Sequence, residues 1–290
     1  MKKQTPKIGE PLTICSMPDL KELNGAIPEK QQIVDHGIIQ AENRAWQLWA
    51  CLRGVKISRL IYGWEGSSLE KGAWRQAGVK LRANADAGEN FPREGVEQVG
   101  APFFIEEDGH YYCFYHSNGF RVVRSVDGVN YKRGIPNTTS IPGGRDVMIM
   151  KHKGLFYSYA TTTTSDGKSY VESATSTDLI DWSESKIVSR GGRGGSGDVD
   201  AESPFVVFVD GYFYLFRTSS VSFKTVVYCS EDPQSFGLDD DSKFVAELDI
   251  KIPELFQHEN EWYITHISDD FQSVFLSRVD WELVTPSLKS

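Results

Sequence analysis

Short runs of large apolar and aromatic residues alternate with polar turns along most of this chain. Segments such as HYYCFYHS, LFYSYATT, YFYLFRTS and WYITHIS are rich in aromatic and β-branched residues and bounded by polar stretches. This pattern is typical of half-buried β-strands. Helical periodicity is scarce, because Gly25 and Pro28 interrupt the only stretch with room for a helical turn or two, residues 18–32. The pattern predicts an all-β protein.

A longer pattern recurs five times, most clearly in PFFIEEDGHYYCFYHS from Pro102 and PFVVFVDGYFYLFRTS from Pro204. Every copy has an apolar run, a turn, and an aromatic residue three positions after the turn residue. The turn residues and their aromatics are Asn43 and Trp46, Gly109 and Tyr112, Gly154 and Tyr157, Gly211 and Tyr214, and Asn260 and Tyr263. A hairpin followed by a third and an outer fourth strand describes one propeller blade. Five copies predict a five-bladed β-propeller around a central channel.

The repeat also predicts the organisation of the chain. We expect one propeller domain over residues 1–290, with blades starting near 35, 101, 146, 202 and 252 and an N-terminal extension of residues 1–30. Residues 65–99 lengthen the first interval and are interpreted as an insertion. A Gly-rich stretch, SRGGRGGSGDVD from Ser189 to Asp200, lengthens the third. It lacks the Lys-Ser/Thr and the helix of a phosphate-binding loop, so we interpret it as a mobile loop or a site rim.

Three of the five copies open with a carboxylate. Asp35 and Asp146 share one register and Glu202 stands one position earlier, whereas Ala101 and Ile252 take the corresponding positions in the other two copies. The inner strands of a propeller start at one mouth of the channel, so these acids should converge. Carboxyls that meet repel each other, and at least one then keeps its proton to higher pH. One proton-holding and one ionised carboxyl are what acid/base cleavage of a glycosidic bond requires.

Each acid also has a structural interpretation. An Asp at the start of a strand is by itself more often a turn cap than a catalytic group. Asp198 and Asp200 lie in the same loop as Glu202 and are rivals for its role. The shared register of Asp35 and Asp146, and the Pro204 register beside Glu202, favour the catalytic interpretation.

These residues resemble the five-bladed glycoside hydrolases. The Asp, Asp, Glu triplet, Ala101-Pro102 at the second blade, and Glu202-Ser203-Pro204-Phe205 followed by Asp210-Gly211-Tyr212-Phe213-Tyr214 are most similar to glycoside hydrolase family 43. Arg145-Asp146 and Glu202-Ser203-Pro204 also resemble the Arg-Asp-Pro and Glu-Cys-Pro motifs of the fructoside-cleaving families 32 and 68. Family 117, which acts on agar-derived anhydrogalactosides, is a further relative of this group.

The chain departs from those families at two positions. His36 and Val147 follow the two aspartates where family 43 usually has Pro, and the Asn-Asp-Pro-Asn nucleophile motif of the fructosidases is absent. The sugar and the stereochemistry therefore stay open. A fructosidase-like retaining hydrolase remains one alternative.

The resemblance implies a glycoside hydrolase that cleaves O-glycosidic bonds of an oligo- or polysaccharide. Glu202 would be the general acid. Asp35 would be the base that activates water in an inverting enzyme, or the nucleophile in a retaining one. Asp146 would orient Glu202 and help it keep its proton. The broad likeness to family 43 favours inversion.

Two other classes fit the same residues. One is a non-catalytic carbohydrate-binding propeller, for which the missing prolines leave room. The other is a propeller phosphorylase, which needs cations near the acids to hold phosphate. Arg145, Arg190 and Arg193 are the candidates for such a cluster.

Four side chains are predicted substrate contacts: Arg145, Arg217, Trp74 and His266. The two arginines suit sugar hydroxyls or a carboxylate, although they serve equally well to neutralise the acids beside them. Trp74 lies in the polar insertion, where a rim contact is expected. A lone His such as His266 is more often a satisfied interior residue than a ligand. No cofactor is required and no metal-ligand spacing occurs, although the resemblance allows a structural Ca²⁺ in the central channel near His266.

Charge and composition narrow the partners. Lys plus Arg is 31 against 40 for Asp plus Glu, so a net charge of −9 disfavours nucleic acid and anionic membranes but not neutral sugars. The four cysteines lack metal spacing. Three of them lie in apolar or aromatic strand-like runs and are interpreted as free buried thiols, with disulfides left open as the alternative. No run approaches the ~20 apolar residues of a membrane span. The start has no apolar signal segment, which predicts a cytoplasmic protein as the sequence stands, or a periplasmic or secreted one if a signal has been removed.

Overall fold

The computed structural model describes residues 2–284, apart from the side chains of residues 135 and 136. Short 3₁₀ turns are the only helical elements in this range, at Lys21–Leu23, Pro28–Lys30, Ala85–Ala87 and Gly192–Gly194. The range contains no helix long and apolar enough to cross a membrane. The strands are, in chain order, β1 (Gln4–Ile8), β2 (Leu12–Ser16), β3 (Gln32–Gln40), β4 (Trp46–Val55), β5 (Ser58–Gly66), β6 (Trp74–Leu81), β7 (Asn90–Arg93), β8 (Val96–Gln98), β9 (Gly100–Glu107), β10 (His110–His116), β11 (Phe120–Ser125), β12 (Lys132–Thr138), β13 (Arg145–His152), β14 (Leu155–Thr163), β15 (Ser169–Ser176), β16 (Lys186–Ser189), β17 (Glu202–Val209), β18 (Tyr212–Thr218), β19 (Thr225–Ser230), β20 (Phe244–Leu248), β21 (Lys251–His258), β22 (Glu261–Ile267) and β23 (Ser273–Leu283).

These strands form five sheets, each with a meander of antiparallel neighbours. Blade one holds β3 to β6 with β7 and β8 at its edge, blade two β9 to β12, blade three β13 to β16, blade four β17 to β20, and blade five β21 to β23 with β1 and β2. The first strands of successive blades contact one another in the order β3, β9, β13, β17 and β21, and β21 contacts β3 again. The ring is therefore closed, and the predicted five-bladed β-propeller is confirmed.

Blade five is completed by the N-terminal segment. Strand β1 pairs with the second half of β23, and β2 pairs with its first half. The backbone N–H of Gln4 also donates to the Tyr214 hydroxyl at 2.8 Å, which ties β1 to blade four. The edge of β23 is thereby covered by β1 and β2. The segment predicted as an extension thus supplies outer strands of a blade.

Part of the predicted insertion, residues 65–99, is likewise a blade strand. Strand β6 pairs with β5 from Ile61–Leu81 to Gly66–Trp74 and is the fourth strand of blade one. The remainder is fastened to blade two through the Glu89 carboxylate. It accepts hydrogen bonds from Tyr115 Oη at 2.5 Å, Arg133 Nε at 2.7 Å and Asn137 Nδ2 at 2.9 Å. A buried carboxylate needs this degree of pairing.

Apolar side chains fill the spaces between neighbouring blades, because a four-stranded sheet cannot cover its own faces. One cluster runs through blades two to five, a second joins blades five and one, and a third joins blades one and two. In the third, the Trp49 ring meets Phe104 and Tyr131 at centroid distances of 5.1 and 4.8 Å. All four cysteines are free and buried, which the sequence predicted for three of them.

Candidate active site

Every innermost strand carries an irregularity at the same place. The pairing register of β3, β9, β13, β17 and β21 shifts close to its start. The residue at the shift lies in the left-handed region of backbone space in all five blades: φ is 34° at Asp35, 50° at Ala101, 55° at Asp146, 45° at Ser203 and 54° at Ile252. Such bulges re-aim side chains at the rims of closed sheets. Because Ala101 and Ile252 share the conformation, it belongs to the scaffold, and the aspartates are built on it.

The bulges bring the three predicted acids to one mouth of the channel. Asp35, Asp146 and Glu202 line a cavity of about 590 Å³ there. Asp198, the proposed rival, lies in the same cavity on the Gly-rich loop. Asp200 instead accepts hydrogen bonds from the Ser219 hydroxyl at 2.6 Å and from the Gly197 N–H at 2.9 Å. Asp200 is thus engaged in holding the loop.

Ser203 connects the two aspartates. Its hydroxyl donates to Asp35 Oδ1 at 3.0 Å, and its backbone N–H donates to Asp146 Oδ2 at 3.2 Å. Ser203 is the blade-four counterpart of both aspartates, which places Glu202 one residue before the bulge. Blades one, three and four are therefore linked by hydrogen bonds at the mouth.

Glu202 is bound by Arg145. The guanidinium donates from Nε to Oε2 at 3.0 Å and from Nη2 to Oε1 at 2.5 Å. The same guanidinium reaches the Thr163 hydroxyl at 2.9 Å and the Asp198 carbonyl at 3.0 Å. Arg145, a predicted substrate contact, thus lines the mouth and neutralises the acid beside it.

Burial raises the pKa of two of the three carboxyls, so these two bind a proton more readily than usual. The pKa of Asp146 is well above its usual range because the side chain is buried, because Asp35 and Glu202 are negative, and because Asp146 shares a hydrogen bond with Glu202. The pKa of Asp35 is also raised, first by burial and then by the charge of Glu202. The Ser203 hydroxyl, Arg59 and Arg53 act in the opposite direction on Asp35. The expected repulsion among the acids is therefore present.

Behind the mouth the channel narrows to a cavity of about 30 Å³. Its wall includes His36, whose Nε2 lies 2.7 Å from the Thr265 hydroxyl and whose Nδ1 has no partner among the described residues. Burial and the nearby His266 lower the pKa of His36 to about 3. Glu254 also lines this cavity and accepts a hydrogen bond from the Ile38 N–H at 3.3 Å. Burial raises its pKa well above the usual range.

A structural calcium ion in the channel, which the resemblance allows, would have to be held by side chains of the channel wall. Ca²⁺ takes six to eight oxygen ligands, whereas the oxygen-bearing side chains of the small cavity are those of Asp35, Asp146, Ser203 and Glu254, among mainly apolar neighbours. Across residues 2–284, no three His, Cys, Asp or Glu side chains come together where they could hold a metal.

Three predicted contacts lie away from the mouth. Trp74 begins β6 at the opposite end of the propeller and packs on Gly66. Arg217 is fully buried and donates to the carbonyls of Gly191 at 2.6 Å and Gly195 at 3.2 Å, so it supports the Gly-rich loop from below. His266 is buried on β22 against the Phe275 ring, with centroids 5.4 Å apart. None of the three lines the mouth cavity.

Four charged or aromatic side chains that the sequence reasoning missed also line the mouth: Arg53, Arg59, Phe223 and Phe271. They flank or occupy the turn between the second and third strands of blades one, four and five. In a meander this turn lies at the same end of the blade as the start of the first strand. This topological rule could have identified these four side chains from the sequence.

The arginines considered for phosphate binding do not gather there. Arg190 pairs with Asp239, and the Arg193 guanidinium lies over the Phe244 ring, 4.6 Å from its centroid. Neither lines the mouth cavity. Arg145 is the one member of that set at the site.

Solved structures share this fold. A family 43 β-xylosidase/α-arabinofuranosidase from a compost microbial metagenome, in complex with xylotriose, matches with a TM-score of 0.66 and 13% identity over 97% of this chain and 100% of that one. A family 117 glycoside hydrolase from Zobellia galactanivorans matches with a TM-score of 0.66 and 10% identity over 97% and 91% of the two chains. A family 32 β-fructofuranosidase from Bombyx mori matches with a TM-score of 0.62 and 16% identity over 96% and 63%.

No family model and no curated protein matches the sequence. The solved structures alone confirm the resemblance to propeller glycoside hydrolases, and they do so at the level of the fold. At these identities it extends no further than the fold.

Proposed function

We propose that this protein is a glycoside hydrolase that cleaves O-glycosidic bonds of an oligo- or polysaccharide with Asp35, Asp146 and Glu202. The observation that carries the proposal is the meeting of the three carboxylates at one mouth, with Ser203 hydrogen-bonded to both aspartates. A propeller scaffold needs no acids there, as Ala101 and Ile252 demonstrate. The solved relatives with the same fold are glycoside hydrolases by name, which supports the same reaction class.

Asp146 and Glu202 form the acid side of the site. Asp146 holds a proton more readily than an ordinary carboxyl, and the two side chains share a hydrogen bond. A proton bound by such a pair belongs to both groups. Glu202 delivers this proton to the leaving-group oxygen. Asp146 orients the Glu202 carboxyl and returns a proton to it. Arg145 fixes the Glu202 carboxylate and stabilises the charge left after the proton has gone.

Asp35 is the base side. The Ser203 hydroxyl donates to it, and both Arg53 and Arg59 favour its ionised form. An ionised Asp35 activates a water for attack at the anomeric carbon, which inverts the configuration. In an inverting enzyme the carboxyls of Asp35 and Glu202 are about 6.5–9.5 Å apart, and in a retaining one about 5–5.5 Å. We favour inversion, which NMR of the first-formed anomer tests directly.

Phe223 and Phe271 offer an aromatic surface for a sugar ring. Their rings meet edge to face at 5.5 Å between centroids, and the buried Lys251 ammonium lies 5.0 and 4.6 Å from them. Phe223 is 43% exposed at the rim. The hydroxyls of Thr163 and Ser220, which also line the cavity, suit sugar hydroxyl groups.

The test compares Asp35→Ala and Glu202→Ala with wild type on aryl glycosides and on plant and algal oligosaccharides. We expect each variant to lose about 10²-fold or more in kcat/KM on whichever substrate wild type cleaves. Asp166→Ala, a change at an exposed acid paired with Lys168, is the matched control and should keep full activity. Full activity in both site variants would refute the assignment.

A second candidate is a carbohydrate-binding propeller without catalysis. It is favoured by one observation, the two hydrogen bonds that engage Glu202 with Arg145 and leave it poorly placed to release a proton. Micromolar binding of an oligosaccharide that wild type never cleaves would support this alternative over hydrolysis.

A further inference from the structure

Two arginines stand side by side on the blade-one wall of the mouth. Arg53 near the end of β4 and Arg59 at the start of β5 are direct cross-strand partners. Both line the cavity that holds the three carboxylates. Like charges placed opposite each other on neighbouring strands are destabilising. An anionic group near the two guanidinium groups is therefore expected to offset their repulsion.

Neither Arg53 nor Arg59 forms an ion pair with a carboxylate among residues 2–284. Within residues 2–284 the Arg59 side chain has no hydrogen-bond or ion-pair partner, and it is exposed to the mouth. Arg53 donates from Nε to Gln32 Oε1 at 2.6 Å and lies over the Phe271 ring at 5.8 Å. By contrast, Arg82 and Arg133 each pair with a glutamate.

The acids at the mouth leave this positive charge largely unmatched. The charge of Glu202 is taken up by Arg145, and Asp146 holds its proton to unusually high pH. Both Arg53 and Arg59 act on Asp35, and Asp198 lines the same cavity from the Gly-rich loop. The cavity is thus locally cationic along one wall in a chain whose net charge is −9.

We propose that Arg53 and Arg59 form a subsite for an anionic substituent of the sugar, a carboxylate or a sulfate ester, so that the substrate is an acidic oligosaccharide. Guanidinium groups bind both oxyanions through paired N–H donors. The open Arg59 fork and the free Nη groups of Arg53 provide such donors beside the Phe271 ring. The inference rests on the proposed function for the position of the sugar in the mouth.

The pair also favours the ionised form of Asp35. Substrates of different charge distinguish the two roles. A subsite discriminates a charged sugar from its neutral counterpart, whereas an effect on Asp35 alone changes the pH profile equally for both.

The experiment measures binding and cleavage of two matched probe pairs by the full chain. One pair is oligogalacturonate and its methyl ester, and the other is a sulfated galactan oligosaccharide and its desulfated form. Isothermal titration calorimetry gives Kd, and product analysis gives turnover. Arg59→Gln and Arg53→Gln are the test variants. Arg44→Gln removes the same charge from an exposed position at the other end of blade one and is the control.

We expect wild type to bind one charged probe at least about tenfold more tightly than its neutral counterpart. Arg59→Gln should remove most of that preference, Arg44→Gln should retain it, and added salt should reduce it. Preference for the carboxylate pair identifies a uronide, and preference for the sulfate pair identifies a sulfated sugar. Thermal unfolding of each variant verifies that it is folded.

Equal binding of charged and neutral probes, failure of both charged probes to bind, or an unchanged preference in folded Arg59→Gln would overturn the subsite. Cleavage of a neutral oligosaccharide in any of those cases leaves the hydrolase proposal standing. Tight binding of a charged probe without cleavage has the opposite meaning, because it supports the subsite and counts against hydrolysis.

Discussion

The Arg145 guanidinium binds both oxygens of the Glu202 carboxylate, at 3.0 Å from Nε and 2.5 Å from Nη2. The two residues start the innermost strands of adjacent blades, and Arg145 also holds the Asp198 carbonyl of the Gly-rich loop. One side chain therefore sets the orientation of the proposed acid and the position of the loop over it.

Replacing Arg145 by Lys keeps the charge but removes the two-pronged geometry. We expect Arg145→Lys to lower kcat/KM about ten- to hundredfold, the range of a charge-assisted hydrogen bond. Steady-state kinetics measures the effect. Arg190→Lys alters an exposed arginine–aspartate pair and should be silent. Equal kcat/KM values for Arg145→Lys and wild type would show that the two-pronged contact of Arg145 does not contribute to catalysis.

Ser203→Ala removes the hydroxyl that donates to Asp35 but leaves the backbone N–H that serves Asp146. A hydrogen bond to the charged form lowers a carboxyl pKa, so its loss raises the pKa of Asp35 further. The ionised base is then available only at higher pH. We expect the acidic limb of the kcat/KM profile to move to higher pH, while the basic limb stays. Ser220→Ala, at the same cavity, is the control, and an unmoved acidic limb in Ser203→Ala argues against Asp35 as the base.

Glu254 gives the fold a pH dependence that is separate from catalysis. Its pKa is raised by burial, so between the ordinary value near 4.5 and the raised value the folded state binds the proton more tightly than the unfolded chain. Stability from this group is present at low pH and is lost as pH rises.

Glu254→Gln should therefore raise Tm at pH 7–8 by about 2 °C or more and leave it unchanged near pH 4. The amide oxygen still accepts the Ile38 N–H, and thermal scans at several pH values measure the difference. Glu259→Gln, at an exposed side chain of the same blade, is the control. A stability loss at pH 7–8 in Glu254→Gln would contradict the assignment.

Arg217 holds the Gly-rich loop from beneath, through the carbonyls of Gly191 and Gly195 and the Ser189 hydroxyl. Arg217→Met removes all three of these hydrogen bonds, and we expect the free energy of unfolding to fall by about 2 kcal/mol. Hydrogen exchange of residues 189–200 should accelerate. Arg193→Met, at an exposed arginine of the same loop, should change neither quantity much. Unchanged exchange in Arg217→Met would show that the loop is held by other contacts.

The repeat of apolar runs and turns was sufficient to predict the architecture. Strand period and turn residues are local properties, so they survive in a single sequence. Once five blades are inferred, the starts of their first strands share one mouth. Asp35 and Asp146 then follow from the shared register, and Glu202 lies one position before it. The same rule, applied to the second and third strands, points to Arg53 and Phe271 as well.

Only the tertiary structure decided which side chains meet. Ser203 and Asp35 are 168 residues apart in the chain, and Gln4 and Tyr214 are 210 apart. Contacts of that separation leave no local pattern. The completion of blade five by β1 and β2, and the burial of Arg217 under the Gly-rich loop, are of this kind. The sequence determined the strands and the end of the propeller at which the acids lie, because these depend on neighbours along the chain, while the partners of each side chain depend on the packing of distant blades.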